Sequence, residues 1–128
     1  MGNVVTNIGG VLSAVTGTVA YTDSAAVTIG TIPANAQIMD INIDVTTAFN
    51  AATTNTVTVG KSGSAAAYVA STSVGSAGRA NVATTGVYSA WADVGAAEVP
   101  VTATYAQTGT AATAGAMRIT IVYRSPAP

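Results

Sequence analysis

Residues 37–60 read QIMDINIDVTTAFNAATTNTVTVG, and the first half of this segment alternates between apolar and polar side chains. From residue 39 onward, one set of positions is apolar and the other is polar or charged: Met39, Ile41, Ile43 and Val45 against Asp40, Asn42, Asp44 and Thr46. Successive side chains of a strand leave opposite faces of the backbone, so the pattern predicts a half-buried β-strand with the apolar set facing a core. Phe49 closes this strand. Residues 50–55 predict a small polar turn, and the alternation of residues 56–59 predicts a second strand that ends at Gly60.

The same alternation recurs on both sides of this segment. Residues 117–123 repeat it most clearly, residues 11–21 repeat it with interruptions, and shorter strand candidates lie at residues 27–29, 65–69, 82, 87–91 and 99–105. Pro100 predicts either an edge strand or the first residues of a strand, because proline cannot donate to a ladder. No segment has the spacing of an amphipathic helix. Seven or eight short strands separated by turn signals predict an all-β fold, a sandwich or a barrel.

Charge placement suggests how two of these strands pair. The polar side of the strand near residue 40 carries Asp40 and Asp44, and that of the last strand carries Arg118 and Arg124. Opposite charges on neighbouring strands stabilise their pairing by about 0.2–1 kcal/mol. A long early strand beside the last strand is typical of a jelly roll, although an immunoglobulin-like sandwich would bury the same faces. The sequence therefore predicts a single β-sandwich that is jelly-roll-like.

The ends of the chain differ from its middle. Residues 1–10 are short, punctuated by Asn and Gly, and predict an N-terminal arm that is ordered only when it docks on something. Residues 11–124 predict the β-sandwich domain, and residues 125–128 predict a C-terminal tail.

The composition predicts a protein whose surface is covered. Only 7% of the 128 residues are charged, against about 25% in an average soluble domain. Such a chain is either an unusually uncharged monomer or one covered by copies of itself or by a partner, and exposed apolar area favours the second. A net charge of −1 with scattered basic residues argues against nucleic-acid binding. The lack of an 18-residue apolar run argues against a membrane partner.

The residue types give little material for catalysis. The chain contains no His and no Cys, which removes the common acid–base and nucleophile pairs. Asp40 and Asp44 would lie about 13 Å apart along a strand, further than the roughly 5–9.5 Å of a glycosidase pair. Asp93 and Glu98 flank a loop, where a solvated surface role is the simpler interpretation. We therefore predict no enzyme, no catalytic, metal or cofactor-binding residues, and no cofactor.

The aromatic residues allow two interpretations. Trp91 and the five Tyr residues could form a ligand platform, but the simpler interpretation is packing in the core or at its rim.

Three segments of the chain resemble a known class of proteins. They are IPANA at residues 32–36, VTTAFN at residues 45–50 and TVTVG at residues 56–60, together with the alternating strand between the first two. These segments resemble small tailed-bacteriophage virion structural proteins, which are β-sandwiches that decorate or cement heads or sit in tails and fibres. The resemblance implies a non-enzymatic, symmetric homotrimer on the capsid surface of a virion, with the major capsid protein and further copies of the chain as partners. It implies a function for no individual residue.

Two hypotheses follow from the sequence. The first is a capsid cement or decoration protein that stabilises the head through homotypic and capsid contacts. The alternative is a receptor- or glycan-binding fibre or adhesin module, with recognition loops at residues 50–55 and 107–115 and with Trp91 or a Tyr stacking on a sugar. An ice-binding surface built on Thr-x-Thr pairs is a third and more remote hypothesis, since these pairs recur irregularly along the chain.

Overall fold

The computed structural model describes residues 12–125, and within them the chain is built of β-strands. The elements are β1 (Leu12–Ala20), β2 (Val27–Ile32), β3 (Gln37–Thr47), β4 (Thr54–Lys61), β5 (Ser64–Ser73), β6 (Gly78–Arg79), a 3-10 turn (Tyr88–Ala90), β7 (Val99–Thr108) and β8 (Ala116–Arg124). The predicted arm at residues 1–10 and residues 126–128 of the predicted tail lie outside the described residues. The prediction of an all-β fold is confirmed.

Within residues 12–125, the strands form two four-stranded antiparallel sheets. Their orders are β1-β8-β3-β6 and β2-β7-β4-β5. The pairs β1–β8, β2–β7, β3–β6 and β4–β5 are nested, as if one long hairpin had been folded at the β4–β5 turn and then rolled up. The pair β3–β8 joins the two central strands of the first sheet, and the pair β4–β7 joins those of the second. This nested order is that of a jelly roll, so the predicted topology and the pairing of the long early strand with the last strand are both confirmed.

The core lies between the two sheets and is filled by the predicted alternation. Ile43 pairs with Ile119 and Ile41 pairs with Ile121 across β3 and β8, and all four side chains are fully buried. The facing sheet contributes small and branched side chains, among them Val57, Val59, Val101 and Ala103.

The connection after β3 crosses from one sheet to the other. The second strand predicted at residues 56–59 is present as part of β4, but β3 and β4 belong to different sheets. Residues 48–53 are thus a crossover that joins the two layers. Phe49 anchors it, with a ring that is 1% exposed and lies 4.5 Å from the ring of Tyr105.

The predicted inward position of Met39 is wrong. The β3–β8 register passes from Ile38↔Tyr123 directly to Asp40↔Val122, so β3 holds one extra residue at this point. Such a β-bulge leaves the extra residue unpaired and reverses the alternation on one side of it. Ile38 therefore points into the core at 1% exposure, and Met39 is 45% exposed.

Two further strand predictions need correction. Residues 82 and 87–91 form no strand, because hydrogen bonds from Gly86 N to Val82 O (2.8 Å) and from Trp91 N to Tyr88 O (3.0 Å) close successive tight turns. The edge position suggested by Pro100 is wrong, since β7 lies between β2 and β4. The other interpretation holds, because Pro100 is the second residue of β7 and lies just beyond the last β4 pairing, Lys61↔Val101.

Candidate functional site

The outer face of the β1-β8-β3-β6 sheet carries cross-strand charges, and we call it the charged face. It presents Asp40, Asp44, Arg79, Arg118 and Arg124. Asp44 lies opposite Arg118 in the register, and the Arg118 Nη2 to Asp44 Oδ2 distance is 3.4 Å, so that predicted pairing is confirmed. Asp40 also lies beside the last strand, opposite Val122, but its ion-pair partner is on β6, where Nη2 of Arg79 lies 3.6 Å from Oδ2 of Asp40. Arg124 lies opposite Gln37 instead.

The outer face of the β2-β7-β4-β5 sheet is built from hydroxyl-bearing and small side chains, and we call it the threonine face. In the register, Thr54 lies opposite Thr108 and Thr58 opposite Thr104 on β4 and β7, while Thr28 of β2 lies opposite Thr102. The Oγ1 atoms of Thr54 and Thr108 are 2.6 Å apart and hydrogen-bonded. Lys61, at the end of β4, is the one charged residue in these four described strands.

Covering the threonine face with another protein surface would therefore cost little free energy. Burying an ionised side chain costs far more than burying a hydroxyl group, and a hydroxyl can exchange a water partner for one on a facing surface. The charged face would have to be dehydrated around two ion pairs, which favours leaving it in solvent.

The two loops predicted for recognition do come together at one end of the sandwich. Asn50 Oδ1 accepts hydrogen bonds from the backbone N–H groups of Thr113 (2.8 Å) and Ala114 (3.0 Å), and Asn50 Nδ2 donates to Thr113 Oγ1 (3.0 Å). Asn55 Oδ1 accepts from Ala51 N (2.9 Å) and from the Tyr105 hydroxyl (2.6 Å). The amides that a ligand would use are thus engaged in holding the loops together.

Trp91 is a packing residue. Its side chain is 8% exposed and its Nε1 donates to the backbone oxygen of Tyr68 at 2.8 Å, which confirms the simpler interpretation of the sequence. Tyr88, three residues earlier on the 3-10 turn, is 52% exposed and meets the Trp91 ring edge-on at 4.6 Å. Tyr88 was not singled out from the sequence. The signal was its i, i+3 spacing from Trp91, since side chains at that spacing eclipse in a 3-10 turn.

Two tyrosines have altered acidity. Burial raises the pKa of the Tyr68 hydroxyl and that of the Tyr105 hydroxyl above the ordinary value of 10.0. Both side chains are therefore neutral near pH 7, and their role is packing and hydrogen bonding.

The acidic residues do not assemble into a reactive or metal-binding cluster within residues 12–125. Asp93 Oδ1 accepts a hydrogen bond from Gly95 N at 2.7 Å and stabilises its own turn. No group of three or more Asp, Glu, His or Cys side chains in the described chain is close enough to hold a metal ion. The same residues include no helix with the length and apolar character needed to cross a membrane.

Comparison with known proteins gives a likeness in structure. No protein-family model matches the chain, and no curated protein matches it in sequence. A chain of a solved structure described as "Cyanophage Pam1 capsid asymmetric unit" superimposes with a TM-score of 0.71 at 24% sequence identity. The match covers 98% of this chain and 93% of that chain. At this identity the likeness establishes the fold, a jelly roll shared over nearly the whole length of both chains.

Proposed function

We propose that this chain is a phage virion structural protein, a cement or decoration protein on the capsid surface that stabilises the head. The observation that carries the proposal is the nearly full-length fold likeness to a chain of a solved cyanophage capsid, with a TM-score of 0.71. The sequence resemblance to small phage virion proteins at residues 32–60 supports it from a separate direction.

The proposed partners are further copies of this chain, forming a homotrimer, and the major capsid protein. We place the copy-to-copy contact on the threonine face. Residues that lie at the three-fold axis of a homotrimer meet their own copies, so a charge there would face like charges, and this face has none at its centre. The absence of His and Cys from the sequence suits a role that needs no covalent chemistry, so we propose no enzymatic activity and no cofactor.

The geometry disfavours the alternative of a glycan-binding module in the form that the sequence suggested. Trp91 is buried. The side-chain amides of the 50–55 loop are already engaged, because Asn50 accepts hydrogen bonds from the backbone of the 107–115 loop and Asn55 accepts one from the backbone of its own loop.

The test is the solution mass of the purified chain and of two matched variants. We expect the wild type at three times the 12.5 kDa chain mass. Thr104→Lys adds a charge at the centre of the threonine face and should produce a monomer. Thr120→Lys is the control, because Thr120 is also a half-buried threonine on a central strand, on the opposite face. It should leave the trimer intact.

A wild-type monomer, or equal effects of both substitutions, would contradict the assembly proposal. The capsid role has its own measurement. The chain should sediment with expanded capsids of the phage that encodes it and should raise the temperature at which those shells break. A trimer that leaves the shells unbound would overturn the capsid assignment while preserving the placement of the copy-to-copy contact.

A further inference from the structure

A groove of about 400 Å³ opens beside the charged face. It lies at the end of the β3–β6 pairing. β6 pairs only with Asp44 and Val45, and β3 extends beyond β6 toward Asp40. Asp40 and Arg79 form one part of the lining, and residues 80–83 with Tyr88 form the rest. We call this the Tyr88 groove. Its volume falls within the roughly 300–1,000 Å³ typical of small-molecule sites.

The Tyr88 ring is exposed but held in place. Its hydroxyl donates a hydrogen bond to Val82 O at 3.1 Å, and its ring rests at 73° against that of Trp91. Trp91 is fixed in turn by its hydrogen bond to Tyr68 O. An aromatic ring that is already immobilised loses little conformational freedom when a ligand packs on it. The arrangement provides a rigid apolar platform 52% open to solvent.

The polar groups around this platform are balanced in charge. Asp40 and Arg79 lie 3.6 Å apart and carry opposite charges, so the groove has no net charge to attract an ion. The Asp40 carboxylate accepts hydrogen bonds and the Arg79 guanidinium donates them. Asn81 Oδ1 accepts from Ala83 N at 2.8 Å, and no described residue accepts a hydrogen bond from the Asn81 amide nitrogen.

We propose that the Tyr88 groove binds a neutral pyranose sugar. One face of a pyranose ring presents C–H groups that pack on an aromatic ring, and its rim presents adjacent hydroxyls that both donate and accept. A platform, an acceptor and two donors around an uncharged groove match that chemistry. Tyr88 is one of the five Tyr residues that the sequence allowed as a platform, but this site lies apart from the two loops, and Trp91 does not line it. It is independent of the contact proposed on the threonine face.

The experiment uses Trp91 as the reporter, because it is the only Trp in the chain and contacts Tyr88. The purified full chain is titrated with methyl β-D-galactopyranoside, methyl β-D-glucopyranoside and methyl α-D-mannopyranoside. We expect a saturable change in Trp91 fluorescence with at least one of them. The dissociation constant should be about 1 mM, as for a small ligand that contacts an open groove on one side.

Variants separate the site from indirect effects on the reporter, and saturation-transfer NMR on the sugar measures their binding. Tyr88→Ala should weaken binding about tenfold or more, because it removes the platform. Tyr88→Phe keeps the ring and should stay within about threefold of the wild type. Asp40→Asn keeps the shape but replaces the charged acceptor and should weaken binding by about tenfold.

Three results would overturn the proposal: no saturable response to any of the three sugars, unchanged binding by Tyr88→Ala, or tighter binding of the anionic N-acetylneuraminic acid. A monomeric wild type that still binds sugar would refute only the trimer, and a trimer that binds none would refute only this site.

Discussion

The two sheets bury comparable apolar faces against each other but turn different faces outward. The charged face holds four of its five charged side chains in two ion pairs, Asp44–Arg118 and Asp40–Arg79. The threonine face holds hydroxyl groups in register, such as Thr54 and Thr108. The need to fill the core with apolar side chains constrains only every second residue of a strand. The outward-facing residues can therefore differ between the two sheets according to the surface or solvent that each face contacts.

We expect both faces to belong to one cooperative unit, and a substitution at Phe49 should disrupt that unit most. Phe49 lies in the crossover between the sheets, and its backbone N–H donates to Val74 O at 3.2 Å. Phe49→Ala should lower the free energy of unfolding by about 3–5 kcal/mol, since it empties a buried site that the neighbouring side chains cannot refill. Urea unfolding at fixed protein concentration measures the loss.

Phe49→Leu is the matched control and should cost clearly less than Phe49→Ala, because it keeps most of the buried apolar volume. If Phe49→Ala unfolded one sheet while the other kept its structure in hydrogen exchange, the two faces would belong to separable units, and the comparison would fail.

How much of this could be read from the sequence depends on whether the signal was local. The alternations at Ile41–Ile43 and Ile119–Ile121 were sufficient to predict two strands and their buried sides, because each strand has one buried and one solvated side. The opposite charges on these two strands predicted that they are neighbours, and a long early strand beside the last strand favoured the jelly roll.

Other features depend on pairings that no local pattern records. The bulge at Met39 arises from the register with Tyr123 and Val122, which is a property of two strands together. The outward threonines of β4 and β7 were visible as alternation, but their convergence on one uncharged face follows only from the sheet order. The Tyr88 groove was missed for the same reason, since Asp40 and Tyr88 are distant in sequence and meet only where β6 ends.

The loss of stability at alkaline pH depends on the interior that the two sheets share and not on either outer face. Burial raises the pKa of Tyr68 and that of Tyr105 above 10.0 in the folded chain. The folded state then holds its phenolic protons to a higher pH than the unfolded state does. Their contribution to stability is full below pH 10 and is lost as the pH rises through the folded pKa values.

We expect the urea midpoint to fall above pH 10 in the wild type and to fall less steeply in Tyr68→Phe and Tyr105→Phe. Tyr105→Phe should also be less stable at pH 7, because it loses the hydrogen bond to Asn55. An equally steep alkaline decline in both variants would show that other groups cause it.

The smallest expected effect is the coupling energy of a single cross-strand pair. It distinguishes the two faces most directly, because one pair from each face can be measured in the same way. Double-mutant cycles with Asp44→Asn and Arg118→Gln on the charged face, and with Thr54→Val and Thr108→Val on the threonine face, should each give a coupling of about 0.2–1 kcal/mol. The magnitudes overlap, so magnitude alone cannot distinguish the faces. Salt can, because at 1 M ionic strength the screening length is about 3 Å and the exposed ion pair should lose most of its coupling. The hydroxyl pair carries no charge and should keep its coupling. If both couplings fell together in salt, the contrast between the faces would lie in their residue types and not in the forces that hold them.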